Sequence, residues 1–243
     1  MQQLIEVVKK EQCDYGFAFD GDGDRLGVVD NLGRILSTDI LIVIFLRHVL
    51  KNKDNLGSKI IADVKASKII FDQITENGGE PLMWKTGHSL IKVKMNEVGA
   101  PFAGEVSGHI FFAENNGFDD GIFAALKVIN ISNELNISMT EYIDSMPQVI
   151  GTDEMRIEVE ESRKFKIIEE VKARLVQEGA DFNDIDGVRV NLGFGWWLLR
   201  ASNTQSSLVA RCEADDLGSL ENVRSGLLHQ LELSGVQAVF VDH

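Results

Sequence analysis

SKIIADVKASKIIFDQITENGGEPLMW, residues 58–84, holds one strand–helix–strand unit. SKIIADV reads as a short β-rich run. ASKIIFDQITENGG reads as a helix closed by glycine, and EPLMW as the next strand. The alternation continues through SLIKVKMNEVG (helix), APFAGE (strand) and GFDDGIFAALKVINISNEL (117–135, helix, with Asp119 or Asp120 near its start). Strand–helix alternation at this spacing predicts βαβ units, a mostly parallel sheet and a three-layer α/β/α domain.

Upstream, LIEVVKKE (4–11) has helical spacing, YGFAF (15–19) and RLGVVD (25–30) read as strands, and NLG (31–33) as a turn. STD offers a cap for a helix from Thr38 to about Lys51. The first 36 residues or so are too few to bury a core of their own. They are expected to be the tail of something larger or to pack onto their neighbours. Downstream, Pro147 and Gly151 mark a linker. MRIEVE, DGVRVNLGFGWWLLRASN and SSLVARCEA then read as antiparallel strands. SRKFKIIEEVKARLVQEG (162–179) reads as an amphipathic helix with Phe165, Ile168, Val171 and Leu175 on one face, and DLGSLENVRSGLLHQLELSG as a closing helix. This part is a smaller α+β domain with an antiparallel sheet.

The chain has 243 residues, 44% hydrophobic and 26% charged, and a net charge of −14. That balance argues against nucleic-acid and acidic-membrane partners. The best apolar run, ILIVIFL (40–46), is too short to span a bilayer and is flanked by Asp39 and Arg47. Cys13 and Cys212 lie far apart, so a reducing cytoplasm is the simplest compartment.

Four stretches carry chemistry. DGDGDR (20–25) puts Asp20, Asp22 and Asp24 on alternate positions, with glycines that let the loop curl. Hard divalent cations want such oxygen ligands. An EF-hand would need glycine and glutamate where Arg25 and Asn31 stand, and a solvated acidic turn is the bland alternative. KTGH (85–88) places Lys85 and His88 between a strand and a helix, where ligands collect in open α/β sheets, although incidental basic residues would look the same. GEVSGH (104–109) aligns Glu105, Ser107 and His109; the first two suit sugar hydroxyls, and the histidine suits proton transfer or an anion. A polar turn after a strand is the plain alternative. RASNT (200–204) offers the Arg200 guanidinium with Ser202, Asn203 and Thr204 as an anion nest, or only a polar hairpin loop. Lys65, after the strand IIADV, takes meaning only from the others.

In this order the motifs resemble the α-D-phosphohexomutase superfamily, of the bacterial phosphomannomutase/phosphoglucomutase type. LMWKTGHSLIK and GFDDGI extend the likeness over essentially the whole chain. The resemblance implies a four-domain protein, of which this chain matches the end of the second domain (1–36), the third, sugar-binding domain (37–147) and the fourth, phosphate-binding domain (151–243). It implies Mg2+ on Asp20, Asp22 and Asp24, with Arg25 as the adjacent active-site arginine. Lys65, His88 and His109 correspond to active-site bases or charge stabilisers. Lys85, Glu105 and Ser107 correspond to substrate contacts, and Arg200, Ser202, Asn203 and Thr204 to the loop holding the phosphate that is not transferred.

The reaction so implied interconverts hexose 6-phosphate and hexose 1-phosphate, with mannose or glucose as the sugar. It runs through an enzyme phosphoserine and a hexose 1,6-bisphosphate, which is intermediate and activator. Three departures stand out. A loop close to T-A-S-H-N-P, which bears the phosphoserine, is missing, so the chain alone is expected to be inactive and to need the missing N-terminal domains. Ser206 and Ser207 stand where proline is usual after the phosphate loop. Val106 stands where phosphoglucosamine mutases read G-E-Q-S-G-H, which leans toward glucose or mannose. The alternatives are a non-catalytic phosphosugar-binding module and a phosphoglucosamine mutase.

Overall fold

The computed structural model describes residues 1–147 and 149–239. Position 148 of the expected linker and positions 240–243 of the expected last domain lie outside the described residues. The chain divides after Pro147 into two compact units.

The first unit begins with α1 (Gln2–Glu11) and an antiparallel sheet of β1 (Tyr15–Phe19), β2 (Leu26–Asp30) and β3 (Ile35–Leu36). Next come α2 (Thr38–Lys51), β4 (Lys59–Asp63), α3 (Lys68–Glu76), β5 (Glu80–Trp84), α4 (His88–Val98), β6 (Phe102–Gly104), β7 (Ile110–Phe112), α5 (Gly121–Glu134) and α6 (Met139–Asp144). The second sheet has the order β5-β4-β6-β7; β4 runs parallel to β5 and β6, and β7 is antiparallel.

Side chains on a strand alternate between faces, and both faces of the sheet are covered at β4, β6 and β7, so Ile60–Ala62, Phe102–Gly104 and Ile110–Phe112 are apolar and buried. Ile60, Ala62, Phe102, Ile110 and Phe112 join α2, α3 and α5 in one core. Ile61, Ala103 and Phe111 join Ile91 and Met95 of α4 in another. The result is three layers. Leu26, Val28 and Leu36 belong to the first of these cores. The leading 36 residues are therefore packed onto their neighbours, which is how so short a piece is kept folded.

α2 starts where Ser37 Oγ accepts the N–H of Ile40, and Leu41 through Leu46 are buried along it. Its Asp39 accepts the N–H of Ser67 at 2.8 Å, fixing the start of α2 against the cap of α3. No helix among the described residues is long and apolar enough to cross a membrane.

The second unit contains β8 (Ile150–Gly151), β9 (Met155–Glu158), α7 (Lys164–Glu178), β10 (Phe182–Asn183), β11 (Val188–Asn191), β12 (Gly195–Ala201), β13 (Ser207–Ala214) and α8 (Leu217–Leu233). Its sheet is antiparallel, β10-β11-β12-β13-β8, with β9 also on β13. The expected face of α7 needs one correction. Ile167, Ile168, Val171 and Leu175 are buried, but Phe165 is 59% exposed. Each residue turns the helix by about 100°, and the position on the buried stripe is Lys164, next to Phe165. Arg200 also differs: it lies inside β12, not in the turn after it.

Phe45 of α2 is fully buried, 6.2 Å from the Phe102 ring and 5.3 Å from the Phe112 ring. Phe45→Ala should destabilise the first unit by about 3–5 kcal/mol. Urea denaturation measures this, and a loss below about 1 kcal/mol would contradict the packing described.

Candidate active site

The three parallel strands β4, β5 and β6 end at one edge of the sheet, where the polar loops begin. Asp63 is the last residue of β4 and is fully buried. Its Oδ1 accepts the N–H of Val106, just past β6, at 3.2 Å. Its Oδ2 accepts the hydroxyl of Thr86, just past β5, at 3.0 Å. Lys65 Nζ stands 3.9 Å from the same carboxylate. Burial pushes the Asp63 carboxyl up to about 6 from an ordinary 3.8; Glu105 adds to this, while Lys65 and the two hydrogen bonds oppose it. One acidic group thus fixes the KTGH loop, the GEVSGH loop and Lys65.

The GEVSGH loop is a tight turn between β6 and β7. Gly108 N–H donates to Glu105 O, and Glu105 N–H to His109 O, both at 2.9 Å. Glu105 is buried, with its Oε2 lacking a hydrogen-bond partner among the described residues. Ser107 and Lys85 are exposed on their loops.

Asp20, Asp22 and Asp24 occupy the turn between β1 and β2. One oxygen from each lies within 4.8 Å of the others. Burial works to raise the Asp20 carboxyl, but the Arg25 side chain (Nε to Oδ2, 2.5 Å) and backbone N–H (3.2 Å) hold it down at about 2. Asp24 is pushed up, first by burial and then by the charges of Asp22, Asp20 and Asp119, against the pull of His109. Converging carboxylates that repel one another suit a hard divalent cation, so these residues fit Mg2+.

The turn is held from two sides. Leu26 N–H donates to Gly108 O at 3.3 Å, and Gly121 N–H at the start of α5 donates to Gly23 O at 3.0 Å. A Cβ on Gly121 would stand 2.8 Å from Arg25 O and 2.9 Å from Gly23 O, so only glycine lets α5 come this near.

His88 opens α4, and His109 precedes β7. Their rings stack at 5.2 Å, and both Nδ1 atoms face Asp119 Oδ2, at 3.2 and 3.1 Å. Burial works to raise the Asp119 carboxyl, but the paired Lys92 ammonium outweighs it and holds the group below its ordinary value.

In the second unit, Arg200 is buried on β12, with its Nε 3.0 Å from Asp186 Oδ2 and its Nη2 lacking a hydrogen-bond partner among the described residues. Gly187, at φ +79°, makes this pairing possible; a Cβ there would stand 2.6 Å from Arg200 Cβ and 2.4 Å from Leu199 O. Ser202 is buried and accepts the N–H groups of Thr204 (3.4 Å) and Gln205 (3.2 Å). Asn203 and Thr204 are exposed at the loop tip. Lys164 Nζ donates to Gln205 O at 3.1 Å, bracing the loop from α7.

In the first unit, then, the structure groups Asp20, Asp22, Asp24 and Arg25 with His88 and His109, and sets Lys65 and Glu105 around Asp63. In the second it sets Arg200 beside a loop of Ser202, Asn203 and Thr204. Sequence reasoning missed Asp63, Thr86, Lys92, Lys164 and Asp186. It read Asp119 only as a helix start.

Family models match nearly the whole chain in three stretches: phosphoglucomutase/phosphomannomutase alpha/beta/alpha domain II over residues 1–33, alpha/beta/alpha domain III over 37–149, and the C-terminal domain over 154–229. A phosphomannomutase/phosphoglucomutase of Pseudomonas syringae pv. tomato is 45% identical over 230 residues, covering 94% of this chain and 49% of that protein. A phosphoglucomutase of Neisseria gonorrhoeae is 42% identical over 228 residues, covering 93% and 49%. A crystal structure of a phosphoglucomutase/phosphomannomutase family protein from Burkholderia thailandensis superposes with a TM-score of 0.88 at 38% identity, over 96% of this chain and 50% of that one. The chain spans about half the length of the curated relatives it matches.

Two outcomes follow from the geometry. Gly121→Ala should push the 20–25 turn off α5 and weaken Mg2+ binding about tenfold by calorimetric titration, since supports of metal ligands are worth that much; unchanged affinity would contradict the close contact. Between pH 3.8 and about 6 native Asp63 keeps a proton that the unfolded chain releases. Its contribution to stability therefore falls as pH rises through this window and stays low above it. Urea denaturation of wild type and Asp63→Asn should show wild type gaining up to about 3 kcal/mol relative to the variant as pH drops from 7 to 4. Parallel pH profiles would contradict the buried carboxylate.

Proposed function

The chain belongs to the α-D-phosphohexomutase superfamily, and from that membership we propose that its loops bind a hexose phosphate, Mg2+ and a hexose 1,6-bisphosphate for phosphoryl exchange between C1 and C6. The sugar is glucose or mannose. The observation that carries the proposal is that the contiguous Asp20, Asp22, Asp24 and Arg25 and the distant His88 and His109 arrive in one cluster.

Phosphoryl transfer asks a protein mainly for positioning and charge stabilisation. Mg2+ held by Asp20, Asp22 and Asp24 would supply positive charge toward the transferring phosphoryl oxygens. Arg25, kept in place by Asp20, adds a guanidinium beside it. His109 is the candidate for moving the proton of the attacking or leaving hydroxyl, because Asp119 orients its ring. Lys65 adds positive charge at the end of β4, and His88 is a second imidazole beside His109 for proton transfer or charge stabilisation. Glu105 and Ser107 take the sugar hydroxyls, with Lys85 on the neighbouring loop. In the second unit, the free Nη2 of Arg200 and the turn of Ser202, Asn203 and Thr204 bind the phosphate not being transferred.

These residues include no phosphoserine loop of the family pattern, so the nucleophile is assigned to N-terminal domains of the kind the resemblance implies. The protein works in the cytoplasm: its two cysteines are unpaired, and burial pushes the Cys212 thiol up to about 12, far from reactive. It needs neither a nucleic acid nor a membrane.

Calorimetric titration of the chain with glucose 1,6-bisphosphate and Mg2+ should show binding, and Arg200→Ala should weaken it by roughly tenfold or more. In a coupled assay with glucose 1-phosphate and the same activator, the chain alone should give no turnover. Absence of binding would refute the sugar-phosphate reading. Turnover by the chain alone would refute the need for an outside serine.

A further inference from the structure

Four donors surround one point beside the Asp20–Asp24 turn. Asp119 Oδ2 lies 3.2 Å from His88 Nδ1 and 3.1 Å from His109 Nδ1, and Asp24 Oδ2 lies 3.6 Å from His109 Nδ1. One ligand atom from each of the four residues falls within 4.8 Å of the rest. A tetrahedral ion with bonds of about 2.0–2.1 Å needs neighbouring ligands about 3.3 Å apart, and the three separations of 3.1, 3.2 and 3.6 Å lie near that value.

The site also has donors waiting. The Asp119 side chain is 5% exposed, and its Oδ2 and His109 Nδ1 are buried without hydrogen-bond partners. The two imidazoles lie 18° from parallel and offer nitrogen to the same carboxylate oxygen. Lys92 is the opposing charge, but it pairs with Oδ1 and leaves Oδ2 to face the histidines. Arg25 lies 4.0 Å from Asp24 Oδ1, not from the oxygen that faces His109.

We propose that Asp24, His88, His109 and Asp119 form a second cation site, distinct in chemistry from the Asp20–Asp22–Asp24 turn and selective for a borderline transition ion such as Zn2+. Imidazole donors suit Zn2+ and Co2+, whereas Mg2+ keeps to oxygen. The two sites share Asp24. Filling the second would occupy both histidines and a ligand of the first.

The test is binding, not activity. Co2+ is titrated into the chain without Mg2+, since Mg2+ on the carboxylate turn would compete for the shared Asp24, and six-coordinate Co2+ on that all-oxygen turn absorbs only weakly. The visible absorption of four-coordinate Co2+ should grow to one equivalent and be displaced by Zn2+. His88 is half exposed, so His88→Ala should fold, and it should weaken the Co2+ signal by roughly tenfold or more. Asp22→Asn should leave the signal intact, and Lys92→Met should tighten it. No four-coordinate signal, or a signal lost in Asp22→Asn and indifferent to His88→Ala, would overturn the site. Either result leaves the sugar-phosphate titration untouched, and failure of that titration leaves this one valid.

Discussion

A fully buried carboxylate at the end of the central parallel strand organises the first unit's site. Asp63 has no water to hydrogen-bond, so its oxygens must be satisfied by protein groups. The groups that do so are Val106 N–H and the Thr86 hydroxyl, from the loops that follow the two neighbouring strands. The cost of burying the acid is thereby converted into a constraint. Two loops that would otherwise wander are held to the sheet, and Lys65 is drawn to the same point. The His88 and Glu105 backbones are placed because their loops are.

From there the order propagates by close approach. His109 O and Glu105 O close the turn; Gly108 O receives Leu26 N–H, which docks the acidic turn; and Gly121 brings α5 against Gly23. Each contact joins backbone groups, so the carboxylates of Asp20, Asp22 and Asp24 can repel one another without opening the turn. The second unit solves a different problem. A chain of net charge −14 holds a guanidinium inside a strand by giving it Asp186 on one edge and leaving Nη2 unengaged. A local field, not the whole charge, decides whether an anion binds there.

Much of this was legible in the sequence. The alternation in residues 58–84 marked β4, α3 and β5, and the continued rhythm marked α4, β6 and α5, because long amphipathic or apolar segments carry their own period. Two- and three-residue strands such as β3, β7, β8 and β10 carry none, and the single-turn signal of α6 was lost among polar residues. Phe165 was assigned to the buried face of α7 because an aromatic looks like core; the stripe instead takes Lys164, whose stem is buried while its ammonium finds Gln205 O. Contiguous motifs exposed Asp20, His88, Glu105 and Arg200. Asp63 was hidden because it ends an apolar strand and its partners are loops far along the chain. Asp119 was hidden because a helix start explains an aspartate equally well.

The role of Asp63 can be read directly by amide hydrogen exchange of wild type and Asp63→Ala. If this carboxylate organises the edge of the sheet, the Val106 amide and the segments 85–88 and 105–109 should all exchange faster in the variant, while the core of α2 keeps its protection. Change confined to residues 63–66, with both loops as slow as before, would show that the loops hold themselves and that the buried acid is incidental.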